Sequence, residues 1–149
     1  MQNMERMMNN YNNNSIIQKG YIPLCVCEEN GRKFILKNKS NLLLTKIKVD
    51  GGLIKTAERC DYAVDAESKE IFLIELKGSD KPHACNQILA TFNYFINNFS
   101  AKKWHARIIL SKDRVPKLIS NEEKRLIQLT KKRKDFDYNI RNVVYEETI

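Results

Sequence analysis

The chain has 149 residues, 42% of them hydrophobic, a formal net charge of +8 and a pI near 9.3. This length and apolar share suit one domain with its own core, and the basic balance favours an anionic partner over a neutral one. No apolar run approaches membrane-spanning length, and the polar, Asn-rich N-terminus is unlike a secretory signal, so a cytoplasmic protein with no membrane contact is expected.

Met1 to Ser15 is rich in Met and Asn with weak periodicity, and reads as a flexible N-terminal segment or one helical turn through Met4, Met7 and Met8. Tyr21 to Lys37 reads as a hairpin. Ile22 to Cys27 is apolar and extended, Asn30-Gly31 is a strong turn dipeptide, and Arg32 to Lys37 returns as the second strand. Pro23 near its start points to a sheet edge. Of the four cysteines, Cys25 and Cys27 alternate on that strand while Cys60 and Cys85 stand apart. No Cys-x-x-Cys spacing occurs, so buried, reduced thiols are expected in place of a zinc site. Thr45 to Val49 reads as the first core strand. Asp50-Gly51-Gly52 breaks it, and a loop follows to Cys60. In that loop Glu58 could reach a metal through water and Arg59 could touch a phosphate, unless both are ordinary surface charges.

The stretch Asp61 to Gly78 organises the chain. Two apolar runs flank a polar turn, as in a hairpin; the first opens on Asp61 and the second closes on Glu75-Leu76-Lys77. Strand side chains alternate, so Glu75 and Lys77 share a face. Asp61 joins them only if the loop is odd, for example Glu67 to Lys69, which sets Asp61 opposite Glu75. An even loop sends it to the other face. Asp65, Glu67, Ser68, Lys69 and Glu70 read as the solvated polar part of the hairpin. Facing carboxylates repel unless a cation lies between them, and a hard divalent ion accepts such a pair together with waters and phosphate oxygens.

Gly78 to Pro82 ends the hairpin, and a helix is predicted from about His83 to Asn97, with Ala84, Ile88, Thr91, Phe92 and Phe95 on its apolar face. Ser79 and Lys81 lie where a loop meets a helix start, a natural place for a phosphate. Trp104 to Leu110 reads as a strand with Trp104, Ala106, Ile108 and Leu110 on one face. A second helical region begins at Val115-Pro116, with Asn121 capping a helix to about Lys134. Asn142 to Tyr145 reads as a closing strand. From Ala101 to Lys134 there are twelve Lys or Arg against three Asp or Glu, so this segment exceeds the net charge of the whole chain. It reads either as a nucleic-acid-binding flank or as a solvated helix face whose charges complement the helix dipole.

Asp61, a hairpin and then Glu75-Leu76-Lys77 resembles the PD-(D/E)xK superfamily of nucleases, also called restriction-endonuclease-like. Cys60 stands at the position of the Pro, which varies widely in the superfamily, and the resemblance runs from roughly Lys46 to Leu110. It implies that Asp61 and Glu75 bind Mg²⁺ or Mn²⁺, that the Leu76 carbonyl can add a ligand and that Lys77 is catalytic. Some branches carry Gln-x-x-x-Tyr in the next helix; Gln87 matches and joins the catalytic set, Thr91 replaces the Tyr, and Tyr94 lies further along the helix. The expected fold is α/β, a mixed central β-sheet flanked by helices: a restriction-endonuclease-like core with an added N-terminal hairpin, forming a single domain over 1–149. The expected function is metal-dependent hydrolysis of phosphodiester bonds, with DNA ranked ahead of RNA and a homodimer or partner protein supplying specificity. The alternatives are a nucleic-acid-binding module that does not cut and a protein-interaction subunit of the same fold.

Overall fold

The computed structural model describes residues 8–55, 58–76, 78–111 and 119–149. A 3-10 turn at Asn13–Ser15 leads into β1 (Ile16–Gly20), followed by β2 (Leu24–Glu29), β3 (Arg32–Lys37), β4 (Leu44–Lys48), β5 (Tyr62–Ala66) and β6 (Glu70–Leu76). Then come α1 (Lys81–Asn98), β7 (Lys103–Leu110), α2 (Asn121–Lys132), β8 (Phe136–Asn142) and β9 (Val144–Thr148). Six strands form one sheet in the order β1-β4-β5-β6-β7-β8, and three form a second in the order β2-β3-β9. The large sheet is mixed: β1, β4, β5 and β6 pair antiparallel, while β6, β7 and β8 run parallel. Parallel neighbours cannot be joined by a tight turn, and α1 supplies the crossover from β6 to β7.

The expected mixed α/β architecture is present, but its layers differ from those expected. Both helices lie on one face of the large sheet, where Ala84, Ile88, Phe92, Phe95 and Leu126 pack against Ala63, Ile71, Leu73, Ala106 and Ile108. The other face is covered by the small sheet, through Cys25, Cys27, Phe34 and Leu36 against Val64, Phe72, Ile74 and Leu76. The strand β6 is therefore buried on both sides, which explains why Ile71 to Ile74 is continuously apolar. Each of these side chains contributes roughly 1.5–3 kcal/mol of burial free energy.

Several boundaries move for local reasons. Helix α1 starts two residues earlier than the periodicity indicates, because the Asp80 carboxylate accepts the His83 amide and Pro82 sits in the first turn. Ser120, not Asn121, caps α2 by accepting the Glu123 amide. The closing strand expected at Asn142 to Tyr145 is in fact a corner between two strands, with Val143 at φ 64°. Strand β9 leaves the large sheet there and pairs parallel with β3. The hairpin does have β2 at an edge, as Pro23 indicated, but it belongs to this second sheet. The helical start expected at Val115-Pro116 lies outside the described residues, as do Met4 and Met7 of the N-terminal turn.

Candidate functional site

The register of β5 and β6 decides where the acids stand. Ala66 pairs with Glu70 and Tyr62 with Ile74, leaving the odd loop Glu67 to Lys69 and placing Asp61 opposite Glu75. Glu67 and Ser68 take the left-handed conformation at φ 53° and 56°, which non-glycine residues adopt at a cost of roughly 1–2 kcal/mol each. Distant parts of the chain offset that cost. The Glu67 amide donates to the Leu43 carbonyl at 3.0 Å, and its carboxylate accepts the Leu43 amide at 2.8 Å. Asp65 accepts the Ser68 amide at 2.6 Å, and the Ser68 hydroxyl accepts the Asn9 amide at 2.8 Å.

This loop is not the solvated turn its composition describes. Asp65 is 3% exposed, with its carboxylate accepting from the Tyr11 hydroxyl at 2.7 Å and the Asn9 side chain at 2.9 Å. Burial pushes the Asp65 carboxyl above its usual range, against the pull of the hydrogen bonds from Asn9, Tyr11 and Ser68. Glu70 is likewise engaged, with its carboxylate 2.8 Å from His105 Nε2. Of that group, Lys69 is exposed as expected.

Asp61 and Glu75 meet at the carboxyl end of β6, on the strand face that carries Ala63, Ile71 and Leu73 toward the helices. The Glu75 carboxylate accepts the Asp61 amide at 3.1 Å, and the Asp61 carboxylate accepts the Leu76 amide at 2.8 Å. Each acid thus lies within one hydrogen bond of the other's strand. Glu75 is fully buried and Asp61 half-buried. The Leu76 carbonyl accepts Arg32 Nε at 3.1 Å. Lys77, the third member of the motif, lies outside the described residues.

From the helix side, the Thr91 hydroxyl accepts the Cys60 amide at 2.7 Å and donates to the Gln87 carbonyl at 2.7 Å. This fixes α1 against the residue preceding Asp61. The Gln87 side-chain oxygen, one turn nearer the helix start, is buried with no hydrogen-bond partner among the described residues. Tyr94 takes no part here; it packs with Phe95 and Phe99. Burial, with Glu75 and Asp61 beside it, pushes the Cys60 thiol well up.

Several other candidate positions have partners of their own. Arg59 Nε is 2.8 Å from an Asp50 carboxylate oxygen, and Glu58 is exposed. The start of α1, suggested as a phosphate seat, is taken by the Asp80 carboxylate, and Lys81 is buried in an ion pair with Glu123 at 2.7 Å. In the basic segment, Arg107 is buried and held by Asp137 and Glu147, and Arg133 pairs with Asp135. Lys124, Arg125, Lys131 and Lys132 are exposed along α2. Lys112, Arg114 and Lys117 lie outside the described residues.

Among the described residues, no group of three or more His, Cys, Asp or Glu gathers as a metal site. The pair offers oxygen donors only, and a small hard ion needs no more than one or two carboxylates, with water and phosphate oxygens completing its shell. Compared with known proteins, the chain matches no family model, no curated protein and no solved structure. No helix of the described residues is long and apolar enough to cross a membrane.

Proposed function

We propose that this chain is a metal-dependent nuclease with a restriction-endonuclease-like core, hydrolysing phosphodiester bonds in DNA ahead of RNA. The observation that carries the reading is the pairing of Asp61 opposite Glu75 at the end of β6, each carboxylate hydrogen-bonded to the other strand's amide. Asp61, Glu75 and the second lone pair of the Leu76 carbonyl, whose first accepts Arg32 Nε, are the groups that would hold Mg²⁺ or Mn²⁺. The ion's contribution, when bound, is to lower the pKa of water and neutralise the scissile phosphate. The amides of Asp61 and Leu76 fix the two carboxylates, so little reorganisation is left for the reaction itself. The free oxygen of the Gln87 amide can accept a hydrogen bond from a water at the site, and the Lys77 ammonium can steady charge developing on the phosphate.

The test is cleavage of plasmid and single-stranded DNA under Mg²⁺ or Mn²⁺. Asp61→Ala and Lys77→Ala are each expected to lower the rate by at least about a hundredfold, the scale for losing one electrostatic group at a reacting centre. A chain that binds DNA in a salt-dependent way but leaves it intact with either ion would sink the nuclease reading. That outcome would favour a non-cutting nucleic-acid-binding module, a reading supported by the Leu76 carbonyl already being engaged by a guanidinium.

A further inference from the structure

Arg32 opens β3, straight after the Asn30-Gly31 turn whose left-handed φ angles of 49° and 80° bring the hairpin back. That turn places it over the end of β6, where its Nε reaches the Leu76 carbonyl. The Leu76 amide, on the other side of the same residue, is held by Asp61. A cation of the small sheet and an acid of the large sheet thus grip one residue from opposite ends.

The other half-buried or buried arginines among the described residues have side-chain partners. Arg59 pairs with Asp50, Arg107 with Asp137 and Glu147, and Arg133 with Asp135. Arg32 makes no ion pair among these residues, and its one hydrogen bond there is to a main-chain carbonyl. A guanidinium drawn partly out of water ordinarily takes a carboxylate, because desolvation is costly without one. The bond through Nε leaves the terminal nitrogens, a planar fork suited to two oxygens of one phosphate. Arg32 is tied to the residue that follows Glu75, so a phosphodiester approaching the pair meets a fixed positive charge there.

We propose that Arg32 is the phosphate clamp of the site, its guanidinium holding non-bridging oxygens of the nucleic-acid strand beside the Asp61–Glu75 pair. This rests on the nucleic-acid reading of that pair and adds to it the residue that seats the substrate. Arg32 is assigned binding and no part in proton transfer.

The experiment measures binding of the full chain to a fluorescently labelled DNA oligonucleotide, single-stranded and duplex, in EDTA across a salt series. Urea denaturation checks that each variant is folded. Arg32→Met is expected to weaken binding about five- to tenfold and to flatten the dependence of log K on log salt by about one phosphate contact. Arg32→Lys is expected to keep the slope and lose part of the affinity, because an ammonium supplies charge without the fork. Lys37→Met, on the same strand but with its lysine paired to Glu146, is expected to bind as the unaltered chain does. Under Mg²⁺, Arg32→Met is expected to raise KM while leaving kcat largely intact. If Arg32→Met and Arg32→Lys both bind with unchanged affinity and slope, the clamp is overturned, and loss of cutting in Asp61→Ala would leave the nuclease reading standing. If the unaltered chain shows no salt-dependent DNA affinity, both fall together.

Discussion

A single hydroxyl joins the helix layer to the candidate site. Thr91 is fully buried on a face of α1 otherwise built from Ala84, Ile88, Phe92 and Phe95, and its oxygen both accepts from Cys60 and donates to Gln87. Thr91→Val keeps the shape and strands the Cys60 amide. The expected cost is about 1–3 kcal/mol, read as a lower urea midpoint, because the strand entering Asp61 loses its tether. In the sequence, Thr91 stands where a Tyr is expected and falls on the apolar face of the predicted helix. The physical flag was a polar side chain at a core position of a helix, which must find a partner. Arg32 carried no such flag, since a charged residue opening a hairpin strand is ordinary until a second strand end is seen beneath it. The acids themselves were legible, because a Glu in a strand buried on both faces is expensive without a role.

At the level of the element, the hairpin of β5 and β6 turns on the parity of its loop. Local sequence permits either outcome and does not choose between them, because neither Glu67 nor Ser68 favours a left-handed backbone. In the observed odd register the loop is satisfied by partners far along the chain, Asn9, Tyr11 and Leu43. The same partners explain why Asp65 is buried when its neighbours in sequence look solvated. Asp65→Ala would leave the Tyr11 hydroxyl and the Ser68 amide without an acceptor. It is expected to destabilise the chain by about 2–4 kcal/mol in denaturant titration and to broaden the amide resonances of Glu67 to Glu70 as the register loosens. An unchanged midpoint would show that the loop is held by strand pairing alone.

At the level of the whole molecule, the two sheets are pinned by an ionic chain that is not legible in the order of residues, since its members come from four different strands. His105 on β7 lies 2.8 Å from Glu70 on β6 and 2.9 Å from Asp137 on β8. Arg107 reaches Asp137 at 2.6 Å and grips Glu147 of β9 through two bonds of 2.7 and 2.9 Å. The Phe72 ring stacks on His105, and Arg107 lies over the rings of Phe72 and Tyr145. Burial opposes the charge on His105, but the hydrogen bonds to Asp137 and Glu70 outweigh it and lift its pKa above the ordinary 6.5. The folded chain therefore holds this proton more tightly than the unfolded one. The associated stability is whole below about pH 6.5 and fades as the pH climbs through the folded value. Asp137 sets the acid side. Burial pulls its pKa upward, yet the bonds from His105 and Arg107 hold it at about 2 against an ordinary 3.8, so its share is whole above about pH 4 and is lost toward pH 2. Urea midpoints measured from pH 5 to 9 are expected to fall on the alkaline side in the unaltered chain, and to do so much less in His105→Gln. The pairing of Lys33 with Val144 adds a kinetic consequence, because contacts so distant along the chain are slow to form, whereas the β5–β6 hairpin closes locally. In pulse-labelled hydrogen exchange during refolding, amides of Tyr62 to Leu76 are expected to gain protection before the Lys33 amide, which donates to the Val143 carbonyl. The two acids would then be neighbours early in assembly, and the arginine beside them would arrive only when the last strand has threaded home.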